Sequence, residues 1–215
     1  MASHAAVVSD IEQLAPNIVQ LNVVVRDRFQ FMPGQWVNFR FPEGVARAYT
    51  IASPPEEHLL ELCVRVGAGR GGHALQTLHN GTEVAIEGPF GKFVLPDDDK
   101  RDVIFLAGDT GIAPVRSIVL HMLATSDRRK AVVLYEPDHR YILYARDFDP
   151  LARSGKIVHM SGAIETLIGH NRPAIASSLI MAAGFDPFLE RARACVERIG
   201  VDQSAIIEES FGPLP

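Results

Sequence analysis

Over the first hundred positions, apolar and polar residues alternate in short runs; beyond them the apolar runs become continuous and are separated by helical stretches. Ile18–Val25 is rich in β-branched residues, and residues 35–41 largely alternate with period two behind the Pro33-Gly34 turn. Residues 59–66 and 83–88 continue the pattern. Several strands at such spacing predict an antiparallel β-barrel. The polar stretch at residues 96–100 then marks a junction, giving a first domain over residues 1–98 and a second over 99–215.

In the second domain residues 103–107 form a short, wholly apolar run, as a central parallel strand requires. Residues 113–123 read as a helix, and 131–135, 157–160 and 178–182 as three further strands. Phe188, Ala192, Cys195, Val196 and Ile199 fall on one helical face, with Gly200 as its stop. Strands interleaved with helices predict an α/β doubly wound parallel sheet, with ligands at the carboxyl ends of its strands.

Composition narrows the partners. With 47% hydrophobic and 22% charged residues the chain is that of an ordinary globular protein, and its formal charge of −5 argues against nucleic acid. No apolar run approaches the roughly 20 residues that span a bilayer, and no signal core follows the N-terminus, so a cytoplasmic location is expected. The two cysteines, Cys63 and Cys195, are expected to be buried reduced thiols. They are too few for a plant-type iron–sulfur cluster, and the scattered histidines show no metal-ligand spacing, so no metal site is expected.

Two segments carry candidate chemistry. Arg47-Ala48-Tyr49-Thr50 puts a guanidinium, a ring and a hydroxyl on an extended stretch, Arg47 and Tyr49 to one side and Ala48 and Thr50 to the other. A guanidinium can clamp a pyrophosphate bidentately, and the ring can pack on a flat heterocycle. The glycine-dense segment from Gly67 through Gly71, Gly72 and His73 offers converging backbone N–H groups to the same phosphates. Gly108-Asp109-Thr110-Gly111, with Pro114 in the following helix's first turn, forms a strand–turn–helix cradle for a second phosphate group. Gly88-Pro89-Phe90-Gly91-Lys92-Phe93 reads instead as a structural turn whose two phenylalanines fill the barrel end.

In this order the pieces resemble the ferredoxin–NADP⁺ reductase superfamily: Pro33-Gly34-Gln35, Arg47 to Thr50, Gly88 to Gly91, Ala107 to Pro114 and the terminal Glu209-Ser210-Phe211. The resemblance implies an FAD-binding barrel followed by an NAD(P)-binding domain. It implies flavin binding by Arg47, Ala48, Tyr49, Thr50, Val64, Gly71, Gly72 and His73, with Thr50 near the flavin N5. Gly108, Asp109, Thr110, Gly111, Pro114, Gly184 and Phe185 would hold the dinucleotide, and Ala183, Glu209 and Phe211 would flank the nicotinamide together with Tyr49 and Thr50. Electrons would pass from NAD(P)H through FAD to a ferredoxin, an oxygenase component or free flavin.

The departures from the family pattern concern the donor. Ala183 stands where a thiol is usual, and Gly72 where a serine is usual. The second strand ends in Tyr135-Glu136-Pro137-Asp138, whose carboxylates would repel a phosphate if they faced the cleft. Met160-Ser161-Gly162-Ala163 lacks an arginine for a 2′-phosphate, which favours NADH over NADPH. The alternative is an FAD-binding electron-transfer or regulatory subunit whose NAD(P) site is degenerate.

Overall fold

A computed structural model describes residues 3–67, 70–138 and 141–214, and at Arg70 the backbone only. Ala68 and Gly69 of the glycine-dense segment therefore lie outside the described residues. The chain divides into two compact units, one running up to Val94 and including Arg116–Thr125, the other formed by Leu95–Val115 and Ser126–Leu214.

In the first unit β1 (Ser3–Ala15), β2 (Ile18–Val25), β3 (Trp36–Arg40), β4 (Ala46–Ile51), β5 (Leu59–Arg65) and β6 (Glu83–Phe90) close into a barrel in the order β1-β2-β5-β4-β3-β6. Every pairing is antiparallel. Alternation supplies the interior: Leu21, Val23, Val37, Phe39, Leu62 and Ile86 are fully buried in one cluster. Helix α1 (Arg70–Gln76) adds Ala74 and Leu75 to that cluster.

Strand β1 has no counterpart among the expected strands. Its register shifts between Val8 and Asp10 and again between Gln13 and Ala15, and each shift breaks the period-two pattern on which the reading depended. The expectation for the two phenylalanines of the 88–93 turn needs correction. Phe93 is fully buried, but Phe90 is half-buried and lies on Trp36 with ring centroids 4.7 Å apart. Trp36 and Phe90 are register partners, so the ring finds its contact on the neighbouring strand.

The second unit holds five strands, β7 (Val103–Gly108), β8 (Ala131–Glu136), β9 (Val158–Ser161), β10 (Leu179–Gly184) and β11 (Ile206–Ser210), in the order β11-β10-β7-β8-β9. All four pairings are parallel. Strands β7 and β10 are buried along their whole length, which explains their continuous apolar sequence. Helix α2 (Ile112–Ala124) starts in this unit and belongs from Arg116 onward to the first, while α3 (Ala145–Arg153), α4 (Ile164–His170), α5 (Arg172–Ser177) and α6 (Asp186–Arg198) lie within the second. Phe188, Ala192, Cys195 and Val196 form the apolar face of α6, and Gly200 stops the chain behind it at φ +88°. Both thiols are buried and unbridged. From β7 the chain moves to β8 on one side and later returns to β10 on the other, so the topological switch point lies between β7 and β10.

Candidate functional site

Pairing with β3 settles where the β4 side chains go. Arg47 stands opposite Phe39 and Tyr49 opposite Val37, while Ala48 faces Asn38 and Thr50 faces Trp36. Opposed residues share a face. Phe39 and Val37 are buried in the barrel, so Arg47 and Tyr49 lie on the inner face, and Ala48 and Thr50 on the outer.

Tyr49 packs in the interior, its ring 5.8 Å from Phe39 and 6.3 Å from Phe41. Burial pushes its phenol up to about 12, against the pull of Arg47, so it stays protonated and can donate a hydrogen bond. Arg47 lies exposed, and its Nη1 donates to the Ala46 carbonyl at 2.7 Å. A Cβ at Gly71 would sit 2.7 Å from Arg47 Nε. The first turn of α1 therefore lies directly against the guanidinium, and only glycine allows that approach.

Gly72 is required for a different reason. A Cβ there would stand 1.8 Å from the Gly67 carbonyl oxygen, so the serine usual in the family has no room in this loop. His73 is exposed beside them. Val64 points into the core at 1% exposure, which leaves only its backbone to any ligand. The outer face around Thr50 presents Trp36 on β3 and Cys63 on β5 as register partners.

Arg116 and Ser117, both buried, were not anticipated as site residues. Arg116 Nη1 donates to the Ala52 carbonyl at 2.9 Å and to the Glu61 carboxylate, and Ser117 Oγ donates to the Ser53 carbonyl at 2.7 Å. They clamp the segment that leaves β4 two and three residues after Thr50. The signal was visible: an arginine inside an otherwise apolar helical run needs a buried acceptor.

In the second unit Gly108 and Gly111 lie beside Gly184 and Ala183, where β7 and β10 end, with Asp109 and Thr110 in the turn between them and Pro114 in the first turn of α2. The glycines answer packing. A Cβ at Gly108 would meet the Phe188 ring at 2.4 Å, and one at Gly111 the Ala183 carbonyl oxygen at 2.0 Å. Gly184, at φ +156°, holds a conformation that other residues rarely adopt. Asp109 also takes a positive φ of 52°, and residues 108–115 are buried throughout. Ala183 is fully buried, paired with Ala107 on one side and Glu209 on the other.

The chain end is fastened to the β10–α6 turn. Ser210 Oγ donates to Asp186 Oδ1 at 2.5 Å, the Phe211 N–H to the Gly184 carbonyl at 2.9 Å, and the Asp186 N–H to the Gly212 carbonyl at 2.9 Å. Phe185 and Phe211 meet edge to face at 5.8 Å. Burial raises the Glu209 carboxyl above its ordinary value. Glu136 is not a loose repelling charge: its Oε2 accepts from the Ile164 N–H at 2.7 Å, and Arg191 pairs with its carboxylate. Among the described residues no cluster of His, Cys, Asp or Glu could hold a metal ion, and no helix is long and apolar enough to cross a membrane.

Residues 5–95 match the family described as oxidoreductase FAD-binding domain. The chain is 32% identical over 146 residues to the phenol 2-monooxygenase reductase component DmpP of Pseudomonas sp. (strain CF600), covering 66% of this chain and 41% of that protein. It is 26% identical over 227 residues to the ferredoxin–NAD(P)(+) reductase component of the naphthalene 1,2-dioxygenase/salicylate 5-hydroxylase systems of Ralstonia sp., covering 96% of this chain and 68% of that one. Its fold is similar to that of the ferredoxin–NADP⁺ reductase of Plasmodium falciparum, with a TM-score of 0.84 at 16% identity and coverage of 97% and 96%. The chain spans less than half the length of several curated relatives it matches.

Proposed function

We propose that the chain is a flavin-dependent oxidoreductase of the ferredoxin–NADP⁺ reductase type, a reading supported by the match of residues 5–95 to the oxidoreductase FAD-binding domain and by its similarity to oxygenase reductase components. It takes electrons from NAD(P)H, NADH being preferred, through FAD bound in the barrel unit. The acceptor is a separate ferredoxin or oxygenase component, as the names of its relatives suggest, or free flavin.

The observation that carries this reading is the contact between Arg47 and Gly71. A guanidinium on the barrel's inner face and the backbone of α1's first turn together make a cradle that a single Cβ would fill. These groups suit the pyrophosphate of FAD: Arg47 supplies a bidentate cation, and the turn supplies N–H donors. Tyr49 offers a protonated phenol beside a ring surface, and Thr50 offers a hydroxyl on the opposite face of the strand. When bound, FAD supplies two-electron acceptance from a nicotinamide and onward release singly or in pairs. The protein's part is position: Arg116 and Ser117 fix the segment that follows Thr50.

The buried run 108–115 favours the second reading, an FAD-binding subunit that exchanges electrons with a protein partner and has lost its dinucleotide site. Both readings need the barrel to bind flavin. Titrating the protein with FAD, followed by flavin fluorescence, tests it. Arg47→Ala is expected to weaken FAD binding by tenfold or more, the size of a lost charge-assisted contact of about 1.5–3 kcal/mol. Arg70→Ala is expected to change it less, and equal affinities of the two variants would contradict the role of Arg47.

A further inference from the structure

Helix α3 is nine residues long but buries only Phe148, whereas α6 buries Phe188, Leu189, Ala192, Cys195 and Val196. Pro150 lies inside α3 and removes one of the helix's own hydrogen bonds. The single ring that fastens α3 rests on a histidine. Phe148 lies 5.1 Å from the imidazole of His159, on the edge strand β9. Tyr135 of β8 stacks on the same imidazole at 6.5 Å. The His159 side chain is 6% exposed, and its Nε2 is buried without a hydrogen-bond partner among the described residues.

A neutral imidazole tolerates that seat, but an imidazolium carries a second N–H donor and a charge that the apolar surroundings do not meet. From α3 the group that faces it is the Asp149 carboxylate, half-exposed and 3.9 Å from Nδ1. From β8 it meets the Tyr135 phenol ring and its register partner Val133, neither of them a charge. Burial outweighs Asp149 and holds the imidazole below its ordinary value. We propose that α3 is an acid-released strap: when His159 takes a proton from solvent at Nε2, Phe148 loses its seat and α3 leaves β9 while the rest of the sheet unit stays folded. The open form binds the proton more tightly than the closed one, so acid shifts the population towards it. The closed form is therefore fully favoured above about pH 6.5 and loses ground as the pH falls through that value. The inference does not depend on the oxidoreductase reading.

Backbone amide hydrogen exchange of the full chain, followed by NMR at pH 7.5 and pH 5.5 and corrected for the intrinsic effect of pH, tests the strap. Protection of α3 is expected to fall about threefold to tenfold between the two, tenfold being the limit for a closed form that takes up no proton. Protection of α6, in the same unit, is expected to stay within about twofold. Asp149→Asn removes the opposing charge and should move the loss in α3 towards the limit. His159→Phe keeps a ring against Phe148 and should abolish the difference between α3 and α6. The ring resonances of His159 in the wild type, which require no variant to fold, should titrate together with the α3 amide shifts. Unchanged protection of α3, equal losses in α3 and α6, a loss in α3 that survives His159→Phe, or a His159 titration that leaves α3 unmoved would each overturn the proposal.

Discussion

In the barrel, the atom that a side chain at Gly71 would strike is Arg47 Nε, 2.7 Å away on an exposed, rotatable arm; in the sheet unit, Gly111 and Gly108 face a backbone carbonyl at 2.0 Å and a buried ring at 2.4 Å. Glycine therefore means different things in the two candidate phosphate sites. In the first it lets a charged arm lie against a helix turn, and the arm can give way. In the second it lets a turn close on the end of β10 and the end of β7 lie against a buried ring of α6, and the backbone contact at Gly111 cannot give way without moving the strand. Glycine density identifies close approach but not what approaches. The first site has the makings of a ligand cradle; the second is first a packing device, on which any ligand role is superimposed.

Exchanging each glycine for alanine is the strongest way to break that comparison. Gly111→Ala drives a Cβ into fixed backbone and is expected to cost about 3 kcal/mol or more. Gly71→Ala is expected to cost about 1 kcal/mol or less, yet to weaken FAD binding several-fold, because Arg47 must leave its place. Urea unfolding followed by circular dichroism, alongside FAD titration, checks both. Similar stability losses for the two variants would erase the distinction.

Arg116 offers a test of comparable size within the barrel unit. Its side chain and that of Glu61 are 9% and 16% exposed. Arg116→Met strands the Glu61 carboxylate in a buried place and should cost about 3–5 kcal/mol, part of which Glu61→Gln restores. A loss below about 1 kcal/mol would show that the clamp on Ala52 and Ser53 matters little. The smallest expected effect lies in the sheet unit. Burial of His159 against Phe148, at 5.1 Å, and Tyr135 lowers the imidazole below its ordinary value, with Asp149 at 3.9 Å opposing the shift. The unfolded chain then takes the proton more readily, so the stability this group contributes is full above about pH 6.5 and is lost as the pH falls through it. Glu209, raised by burial, tilts stability the opposite way. His159→Phe should flatten the difference in unfolding free energy between pH 7 and pH 5 relative to wild type; an identical slope would remove His159 as its source.

Much of the fold was legible because burial dictates period. The wholly buried strands β7 and β10 read as apolar runs, and the face of α6 repeats at helical spacing. The opposite sides of Arg47 and Thr50 followed from strand geometry alone. Strand β1 escaped notice because two register shifts scramble its alternation. The clamp by Arg116 was out of reach in its particulars, since its acceptors Ala52 and Glu61 lie 64 and 55 positions away. The pairing of Glu136 with Arg191 is equally distant in sequence, and it turns an expected repulsion into a satisfied ion pair. Local chemistry can be read residue by residue; partners chosen by topology cannot.

The central claim is that this chain carries electrons from a nicotinamide to a bound flavin. Anaerobic mixing of the FAD-loaded protein with NADH, and separately with NADPH, while the flavin's visible absorbance is followed, tests it most directly. The account predicts rapid bleaching by NADH and slower bleaching by NADPH. A flavin that stays bound and oxidised with both donors would contradict it and leave the barrel as an electron carrier served by a protein partner.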